Sequence, residues 1–244
     1  MSGSILLILP TYNERENLAP LIREIFALKI TRLEVLVVDD QSPDGTGIIA
    51  DQMSKDNPCI HVLHRPPPRG RGLAGIDGFR WARDHSYEYA IEMDADFSHL
   101  PGFIPFLLKP FEDPNRPVDL VIGSRYIPGG KIKGWPRWRY WNSFVANRLA
   151  RWVLGLRAID CTSGYRCFSK NALEKIPWES LIATGPVIVE EILFHFERAG
   201  LRHTEVPITF IERTQGTSKV RFSTILRWIR ELVRIRLKGI PQRH

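Results

Sequence analysis

Short apolar runs alternate with segments of helical periodicity through the first hundred residues of the chain. Ile5–Pro10 and Leu33–Val38 are continuously apolar, which is typical of strands buried on both faces of a parallel sheet. Ile60–His64 and Tyr89–Met93 repeat this strand pattern further along. Because amphipathic segments fill the gaps, the alternation predicts a doubly wound, mostly parallel α/β sheet.

Helical periodicity and cap residues predict the remaining elements. The first helix is expected to begin at a cap formed by Asn13, with Glu16 three residues later, and two more are expected at Gly47–Ser54 and Ile76–Asp84. In the second half the pattern predicts a strand, an extended segment and three helices: Leu120–Gly123, His203–Ile211, Trp138–Leu156, Glu190–Ala199 and Ser223–Lys238. The last helix is basic and amphipathic, so we expect a globular domain over residues 1–220 and a membrane-facing tail over residues 221–244.

Polar residues directly follow three of the predicted strands. They are Pro10-Thr11-Tyr12-Asn13, Asp39-Asp40 and Asp94-Ala95-Asp96. The carboxyl ends of parallel strands meet at one edge of the sheet, where doubly wound proteins bind their ligands. We therefore expect these three clusters to line a common site.

Asp94-Ala95-Asp96 has the spacing of a divalent-cation site. Two carboxylates one residue apart can share one Mg²⁺ or Mn²⁺ and leave coordination positions for phosphate oxygens and water. The spacing alone is weak evidence, because most such pairs cap helices or form turns. The apolar strand before it, and Asp39-Asp40 at another strand end, strengthen the prediction.

Gly70-Arg71-Gly72-Leu73-Ala74-Gly75 matches the GxGxxG pattern of dinucleotide-binding proteins. That pattern normally turns directly from the first strand into its helix. Here it lies in the third unit, and Pro66-Pro67-Pro68 separates it from the preceding strand. A nicotinamide-dependent oxidoreductase is therefore not favoured, although the glycines can still let the backbone approach a ligand.

The net charge of +7 is concentrated in the second half of the chain. Residues 101–244 carry 24 Lys and Arg against 12 Asp and Glu, whereas residues 1–100 carry 10 against 15. A basic half indicates nucleic acid, a phosphorylated ligand or a membrane surface as partner, or simply a solvated charged face. A non-catalytic binder of anionic membranes or nucleic acid is thus the rival of an enzyme, but it would gain nothing from acids gathered at strand ends.

Cysteine content and hydropathy bear on the compartment. Cys59, Cys161 and Cys167 are odd in number and form no framework, which favours a reducing compartment. No window approaches the ~18 consecutive apolar residues of a membrane span, and Ile5–Leu9 is too short for a signal-peptide core. These features predict a cytoplasmic location.

Several motifs occur together in a fixed order. They are Pro10-Thr11-Tyr12-Asn13-Glu14, Val38-Asp39-Asp40-Gln41-Ser42-Pro43-Asp44-Gly45-Thr46, Glu92-Met93-Asp94-Ala95-Asp96-Phe97-Ser98-His99, Gly123-Ser124-Arg125-Tyr126, Trp135 with Arg139 and Ser143, Asp160-Cys161-Thr162-Ser163-Gly164-Tyr165-Arg166, and Glu212-Arg213 with Ser218-Lys219. Over about residues 5–220 the chain resembles the dolichyl- or polyprenyl-phosphate mannose synthases, inverting glycosyltransferases of the GT-A fold. Each motif is modest alone; their number and order carry the resemblance.

The resemblance implies transfer of mannose from GDP-mannose to dolichyl or polyprenyl phosphate with inversion, by a catalytic domain over residues 1–220. It implies nucleotide-sugar contacts at Pro10, Tyr12, Glu14, one or both of Asp39 and Asp40, Asp94, Ala95 and Asp96. It implies a site for Mg²⁺ or Mn²⁺ at Asp94 and Asp96, with Ser98 as a third ligand. The implied acceptor-phosphate ligands are Arg125, Arg139, Ser143, Arg213 and Lys219, and the planar fork of Arg fits phosphate oxygens well. Asp94, Asp96 and Arg125 are the expected catalytic residues.

Two segments depart from the family pattern. Arg71 stands where the family usually has Leu, and Pro186-Val187-Ile188-Val189 replaces a more aromatic stretch before Glu191. We expect the first to alter donor contacts, the second to alter the path of the lipid, and neither to touch the metal ligands. The donor base cannot be read from the sequence, so a UDP-sugar, as in a polyprenyl-phosphate glucose synthase, is the nearest alternative.

No histidine is a compelling catalytic base. His99 follows the acidic triplet and is expected to be a packed or hydrogen-bonded side chain. A phosphate monoester has a second pKa near ~6, so the acceptor is already an anionic nucleophile at neutral pH. A lipid acceptor also accounts for the Trp- and Arg-rich helices, which can lie in a membrane interface. We expect a peripheral protein on the cytoplasmic face of a membrane, with no nucleic-acid partner and with a partner protein as a further anchor.

Overall fold

The computed structural model describes residues 3–183, 185–212 and 222–238. Their strands are β1 (Ile5–Thr11), β2 (Leu33–Asp39), β3 (Ile60–His64), β4 (Tyr89–Glu92), β5 (Leu120–Ser124), β6 (Lys131–Lys133), β7 (Arg166–Ser169), β8 (His203–Pro207) and β9 (Thr209–Ile211). Their α-helices are α1 (Arg15–Ala27), α2 (Thr46–Asp56), α3 (Arg71–Asp84), α4 (Ile104–Leu108), α5 (Arg137–Leu154), α6 (Lys170–Lys175), α7 (Ile188–Arg198) and α8 (Phe222–Lys238).

Seven strands form the central sheet in the order β3-β2-β1-β4-β7-β5-β8. Strands β1 to β4 are parallel to one another, β5 pairs parallel with β8, and only β7 runs antiparallel to its two neighbours. The predicted mostly parallel α/β sheet is confirmed. The short strands β6 and β9 pair separately as a second, two-stranded sheet.

Both faces of the central sheet are buried, as the continuous apolar runs predict. Leu6 and Ile8 of β1 pack with α3 and α7 on one face, whereas Leu7 and Leu9 pack with α1 and α2 on the other. All four side chains have no exposed surface. A strand covered on both faces has no room for polar side chains along its length, so they appear where the strand ends.

The turn from β1 into α1 differs from the prediction. Asn13 does not cap the helix: its φ is 62° and its backbone N–H donates to Ser42 Oγ at 3.1 Å. Glu14 is the N-cap residue, and its side chain accepts a hydrogen bond from the Asn17 amide at 2.7 Å. The left-handed conformation, which Asn tolerates better than most residues, lets the chain reverse direction within two residues of the strand.

The glycine-rich segment forms part of a helix. α3 begins at Arg71, before the predicted start at Ile76, and Gly72, Gly75 and Gly78 recur along it at a spacing of three. A Cβ at Gly75 would overlap Glu92 Oε1, and one at Gly78 would overlap Ile8 Cγ2. These glycines therefore let α3 lie unusually close to the sheet.

The strand β7 was not predicted from the sequence. It is four residues long, begins with a buried arginine, and is inserted between β4 and β5. A strand so short, headed by a charged residue, lacks the apolar run on which the sequence prediction depends.

The C-terminal helix α8 packs on α5 and shares the main core. Leu232 and Ile235 are buried in the cluster that contains the sheet residues Leu6 and Ile8, and the Arg236 guanidinium donates to the Leu154 carbonyl at 3.2 Å. The predicted division at residue 220 stays a prediction, but the inner face of this helix belongs to the globular core. Among the described helices, none combines the length and apolar character needed to cross a bilayer.

We predict that Gly78→Ala lowers the free energy of unfolding by about 1–2 kcal/mol. A gain of about 1 kcal/mol from helix propensity is outweighed by overpacking against Ile8, which is fully buried and cannot move aside. Urea unfolding measures the change. Gly102→Ala is the control, because a Cβ there meets no atom within 4 Å; equal effects of the two substitutions would contradict close helix–sheet packing.

Candidate active site

Three loops that follow β1, β2 and β4 meet at the carboxyl edge of the sheet. Each loop contains a residue other than glycine with positive φ: Asn13 at 62°, Gln41 at 54° and Phe97 at 61°. Such conformations cost energy and persist only where the surrounding structure fixes them. They turn the chain sharply, so the polar residues after each strand remain at the edge, as predicted.

A cavity of about 410 Å³, here called the carboxylate cavity, lies between these loops. Seven of the eight residues predicted to bind the nucleotide-sugar line it: Pro10, Tyr12, Glu14, Asp40, Asp94, Ala95 and Asp96. Tyr12 is about half exposed at this cavity, and the Arg69 guanidinium lies 5.2 Å from the centre of its ring.

Asp39, the eighth predicted residue, does not line the cavity. It is buried, and its carboxylate accepts hydrogen bonds from the Thr11 hydroxyl at 3.2 Å and from the Ser42 hydroxyl and backbone N–H at 2.6 and 3.1 Å. Asp39 therefore ties the loop after β2 to the end of β1.

Asp40 supports the start of α3 from inside the cavity wall. Its carboxylate accepts the Gly70 backbone N–H at 2.7 Å and a charged hydrogen bond from Arg65. Arg65 also donates from Nε to Asp77 at 2.6 Å, about two turns further along α3. This buried network fixes the glycine-rich entry to α3 against the sheet edge.

The acidic triplet lies at the floor of the carboxylate cavity. Asp96 accepts the Ser98 backbone N–H at 3.0 Å, while Ser98 itself is buried and lines neither this cavity nor the one described next. Asp94 accepts a hydrogen bond from Arg71 Nε at 2.5 Å. Burial opposes ionisation of Asp94, but Arg71, helped by His99 and Arg125, lowers its pKa to about 2.

The contact between Arg71 and Asp94 corrects one expectation. Arg71 was not expected to touch the predicted metal ligands, yet it pairs directly with one of them, Asp94. The reason is that α3 begins at Arg71, and that Gly164 leaves room: a Cβ there would overlap the Arg71 guanidinium.

A second cavity of about 360 Å³, here called the arginine cavity, adjoins the first. Its walls include Arg125, Thr162, Phe210 and Ile188, and it shares Gly70, Arg71 and Asp94 with the carboxylate cavity. One cavity is lined by carboxylates and the other by arginine and apolar groups, and they meet at the Arg71–Asp94 pair.

Arg125 is held rigidly in the wall of the arginine cavity. Its guanidinium makes two hydrogen bonds of 2.8 Å to the buried Asp160 carboxylate and a third, of 2.6 Å, to Thr162 Oγ1. The rings of Trp135 and Phe210 lie 5.8 and 5.6 Å from it. Burial opposes the charge, but Asp160 raises the pKa of Arg125 above its ordinary value.

The other predicted acceptor ligands lie further out. Arg139 stacks 4.5 Å from the centre of the Trp135 ring and pairs with Glu212, and Ser143 accepts the Tyr126 hydroxyl at 2.8 Å. Both therefore reach Arg125 through an aromatic ring. Arg213 and Lys219 fall outside the described residues.

His99 is a packed side chain. Its ring stacks on Tyr165 with centroids 4.8 Å apart, and its Nδ1 accepts the Asp94 backbone N–H at 3.1 Å. Burial, with Arg71 and Arg125 nearby, lowers its pKa to about 4. His99 is therefore neutral at physiological pH and positions the acidic triplet.

Comparison with known proteins assigns this chain to a family. The model of Glycosyl transferase family 2 matches residues 6–177, most of the chain. The chain belongs to glycosyl transferase family 2. It is 44% identical over 216 residues to a protein of Micrococcus luteus named undecaprenyl-phosphate mannosyltransferase, covering 88% of this chain and 87% of that protein.

A second relative and a solved structure agree with this family and with its fold. The chain is 42% identical over 221 residues to the polyprenol monophosphomannose synthase of Mycolicibacterium smegmatis, covering 90% of this chain and 82% of that protein. It also shares its fold, with a TM-score of 0.68 and 22% identity, with glucosyl-3-phosphoglycerate synthase from Mycobacterium tuberculosis crystallised with Mn²⁺, UDP-glucose and phosphoglyceric acid. That match covers 99% of this chain and 81% of the other. The expected GT-A fold of this glycosyltransferase is confirmed.

The donor atoms of the acidic triplet fit a divalent cation. Asp94 and Asp96 supply carboxylate oxygens, the ligands that Mg²⁺ and Mn²⁺ prefer, and a cationic guanidinium already lies against Asp94. Among the described residues, no group of three or more His, Cys, Asp or Glu side chains could hold a metal ion. A cation here would complete its coordination with phosphate oxygens or water.

The candidate site has further residues to which sequence reasoning gave no role. Asp160 orients Arg125, and the buried Arg166 donates to the carbonyls of Cys161 and Val189 at 2.7 Å. Both lie within the Asp160–Arg166 motif, so the motif marked the right segment. Which charge pairs with which arginine depends on contacts between distant elements, and a single sequence does not carry that information.

Glu190 adds a buried acid behind this segment. It is fully enclosed near Arg166 and Asp160, and its carboxylate accepts the Trp228 indole N–H at 3.3 Å. Burial raises its pKa to about 7, although the hydrogen bonds and Arg166 oppose the shift. The fold therefore favours protonated Glu190.

We predict that stability depends on pH through Glu190. A raised folded-state pKa contributes stability that is fully present below the ordinary value of 4.5 and is lost as pH rises through about 7. Raising the pH from 5 to 8 should therefore lower the free energy of unfolding of the parent by about 2 kcal/mol relative to that of Glu190→Gln.

Urea unfolding of both proteins at the two pH values measures this shift. Glu24→Gln, on the exposed side of α1, controls for the change of charge. A difference between Glu190→Gln and the parent that does not change with pH would mean that Glu190 is ionised in the folded protein.

Proposed function

We propose that this glycosyltransferase moves a mannosyl group from GDP-mannose to a polyprenyl phosphate, dolichyl phosphate being one form, and inverts the anomeric configuration. The observation that carries this is the pair of adjoining cavities, which share Asp94 and Arg71 and differ in the charge of their walls. Two relatives above 40% identity, named undecaprenyl-phosphate mannosyltransferase and polyprenol monophosphomannose synthase, support mannose and a polyprenyl phosphate as the substrates.

The donor is assigned to the carboxylate cavity. Pro10, Tyr12, Glu14 and Asp40 would bind the nucleoside, and Asp94 and Asp96 would hold Mg²⁺ or Mn²⁺ together with the diphosphate. The cation would supply positive charge for the departing nucleoside diphosphate. Ala95 places backbone rather than a bulky side chain at the cavity floor, and Asp39 contributes only by fixing the loop.

The acceptor phosphate is assigned to the arginine cavity. Arg125 presents a guanidinium already oriented by Asp160, so little is lost in ordering it when a phosphate binds. The phosphate oxygen is anionic at neutral pH and attacks the sugar without a base. Neutral, packed His99 agrees with such a mechanism, in which positioning two anions together is the main task.

We predict that Asp96→Asn removes the metal-dependent part of nucleotide binding. In a thermal-shift panel of GDP, UDP and their sugars, GDP or GDP-mannose with Mn²⁺ should raise the parent Tm by about 5–10 °C at a hundredfold excess over Kd. The variant should show little of this rise, because one of the two carboxylates that hold the cation is gone.

The same panel separates the alternatives. Asp56→Asn, at the exposed end of α2, should behave as the parent. A rise with UDP-sugars alone would favour a UDP-dependent enzyme such as a polyprenyl-phosphate glucose synthase, and a rise independent of Mn²⁺ would contradict the metal assignment.

A lipid acceptor also requires a membrane surface, which we assign to α5 and α8. Trp138, Trp141, Val145 and Trp152 recur at helical spacing along α5 and are all exposed, Trp152 by 81%. On α8, Val233 and Leu237 are exposed among Arg230 and Arg234. Aromatic and basic side chains together favour an anionic membrane interface. The three free cysteines agree with the cytoplasmic face, and a partner protein could add a second anchor.

We predict that the double substitution Trp138→Ser and Trp152→Ser lowers partitioning onto anionic phospholipid vesicles by about tenfold or more. Each indole would otherwise bury apolar area at roughly 25 cal/mol per Å². Vesicle flotation measures the effect, with Ile48→Ser as control, since Ile48 is equally exposed but lies on α2. Unchanged flotation of the double variant would reject α5 as the membrane surface.

A further inference from the structure

The Arg71 guanidinium stands at the boundary between the two cavities. Its Nε lies 2.5 Å from Asp94 Oδ1 and one terminal nitrogen lies 3.6 Å from Glu92 Oε1. Its side chain is 38% exposed, so one side of the group faces the cavities. Arg71 thus borders both cavities, where donor and acceptor phosphates would meet.

The fold leaves space for the side chain of this arginine. Gly164 has no Cβ where one would overlap Arg71, and α3 starts at this residue because Gly70 is bonded to Asp40. An uncharged side chain at position 71 could make no such charged contact with Asp94.

A divalent cation and Arg71 compete for Asp94. Two positive groups a few ångströms apart on one carboxylate repel each other, and the interaction is strong where water is partly excluded. A partly buried guanidinium that leaves its carboxylate must pair with another anion. Otherwise the desolvation penalty of the unpaired guanidinium weakens metal binding. Glu92 is buried and stays within reach, and the diphosphate of a donor would supply the remaining negative charge.

We propose that Arg71 occupies Asp94 in the absence of substrate and moves to phosphate oxygens when the metal and the nucleoside diphosphate bind. Arg71 thereby makes metal binding depend on the diphosphate more strongly than direct metal–phosphate coordination alone would. Arg71 would contact the donor diphosphate directly and couple the binding of the two ligands. This inference rests on the proposed function, since it assumes that the metal binds Asp94.

The experiment titrates Mn²⁺ into the protein, with and without GDP, and follows free Mn²⁺ by electron paramagnetic resonance. Arg71→Leu should bind Mn²⁺ alone about tenfold more tightly than the parent, and GDP should enhance its Mn²⁺ affinity about tenfold less, within the usual range of coupling between sites. Arg71→Lys keeps the charge and should fall between the two. By reciprocity, Mn²⁺ must change GDP affinity by the same factors.

Arg69→Leu is the matched control. It removes the same charge two residues away in the same cavity, but Arg69 contacts Tyr12 and the Gln41 carbonyl rather than Asp94. Its affinity for Mn²⁺ in the absence of nucleotide should equal that of the parent. An equal gain in Arg69→Leu would show that general charge, not contact with Asp94, is responsible, and would overturn the proposal.

Two results separate this inference from the proposed function. Normal Mn²⁺ binding by the parent, with unchanged or weaker Mn²⁺ binding by Arg71→Leu, would overturn the role of Arg71 alone. Failure of the parent to bind Mn²⁺ in the presence of GDP would overturn both the metal centre and the coupling. Circular dichroism of each variant confirms that the fold is retained.

Discussion

Burial of the central sheet on both faces is the constraint on which the site depends. Side chains of β1, and of β2 from Val35 to Val38, enter a packed core on either face, so charged residues have no place there before the strands end. The carboxylates that follow these strands are therefore gathered at one edge, close enough to repel one another. Arginines from α3 and the loop before it offset this repulsion by forming ion pairs: Arg65 pairs with Asp40, and Arg71 pairs with Asp94.

The consequence is that nearly every charge described at the site already has a partner within the protein. Asp40 is paired with Arg65, Asp94 with Arg71, and Arg125 with Asp160. Under the proposed function, phosphate or metal binding would exchange one partner for another, and the net gain would be the difference between two strong interactions. Which ligands bind would then depend on which of these ion pairs can separate. Asp160 is fully buried, whereas Asp94 and Arg71 reach a cavity.

Much of the fold could be predicted from the sequence because apolar runs, and polar clusters at strand ends, are local signals. The four parallel strands from Ile5 to Glu92 and the convergence of Asp40 with Asp94 and Asp96 were predictable for this reason. Asn13 was misassigned because a cap and a left-handed turn use the same residue type. The glycines of α3 were read as a ligand loop, since only the structure shows Ile8 and Glu92 against them. The position of Arg71 depends on the space at Gly164, ninety-odd residues away in the chain, and no local pattern could reveal it.

The insertion of β7 between β4 and β5 affects how the chain reaches this fold during synthesis. The first four strands can pair as soon as they are made, but β4 then has an open edge with unpaired backbone groups. That edge is covered only when Arg166–Ser169 has left the ribosome, long after β5 has been made. The residues just before β7 bring Asp160 to Arg125 and Gly164 to Arg71. Emergence of β7 therefore closes the open edge of β4 late in synthesis, before β8 is made, and an exposed strand edge is the hazard of waiting for it.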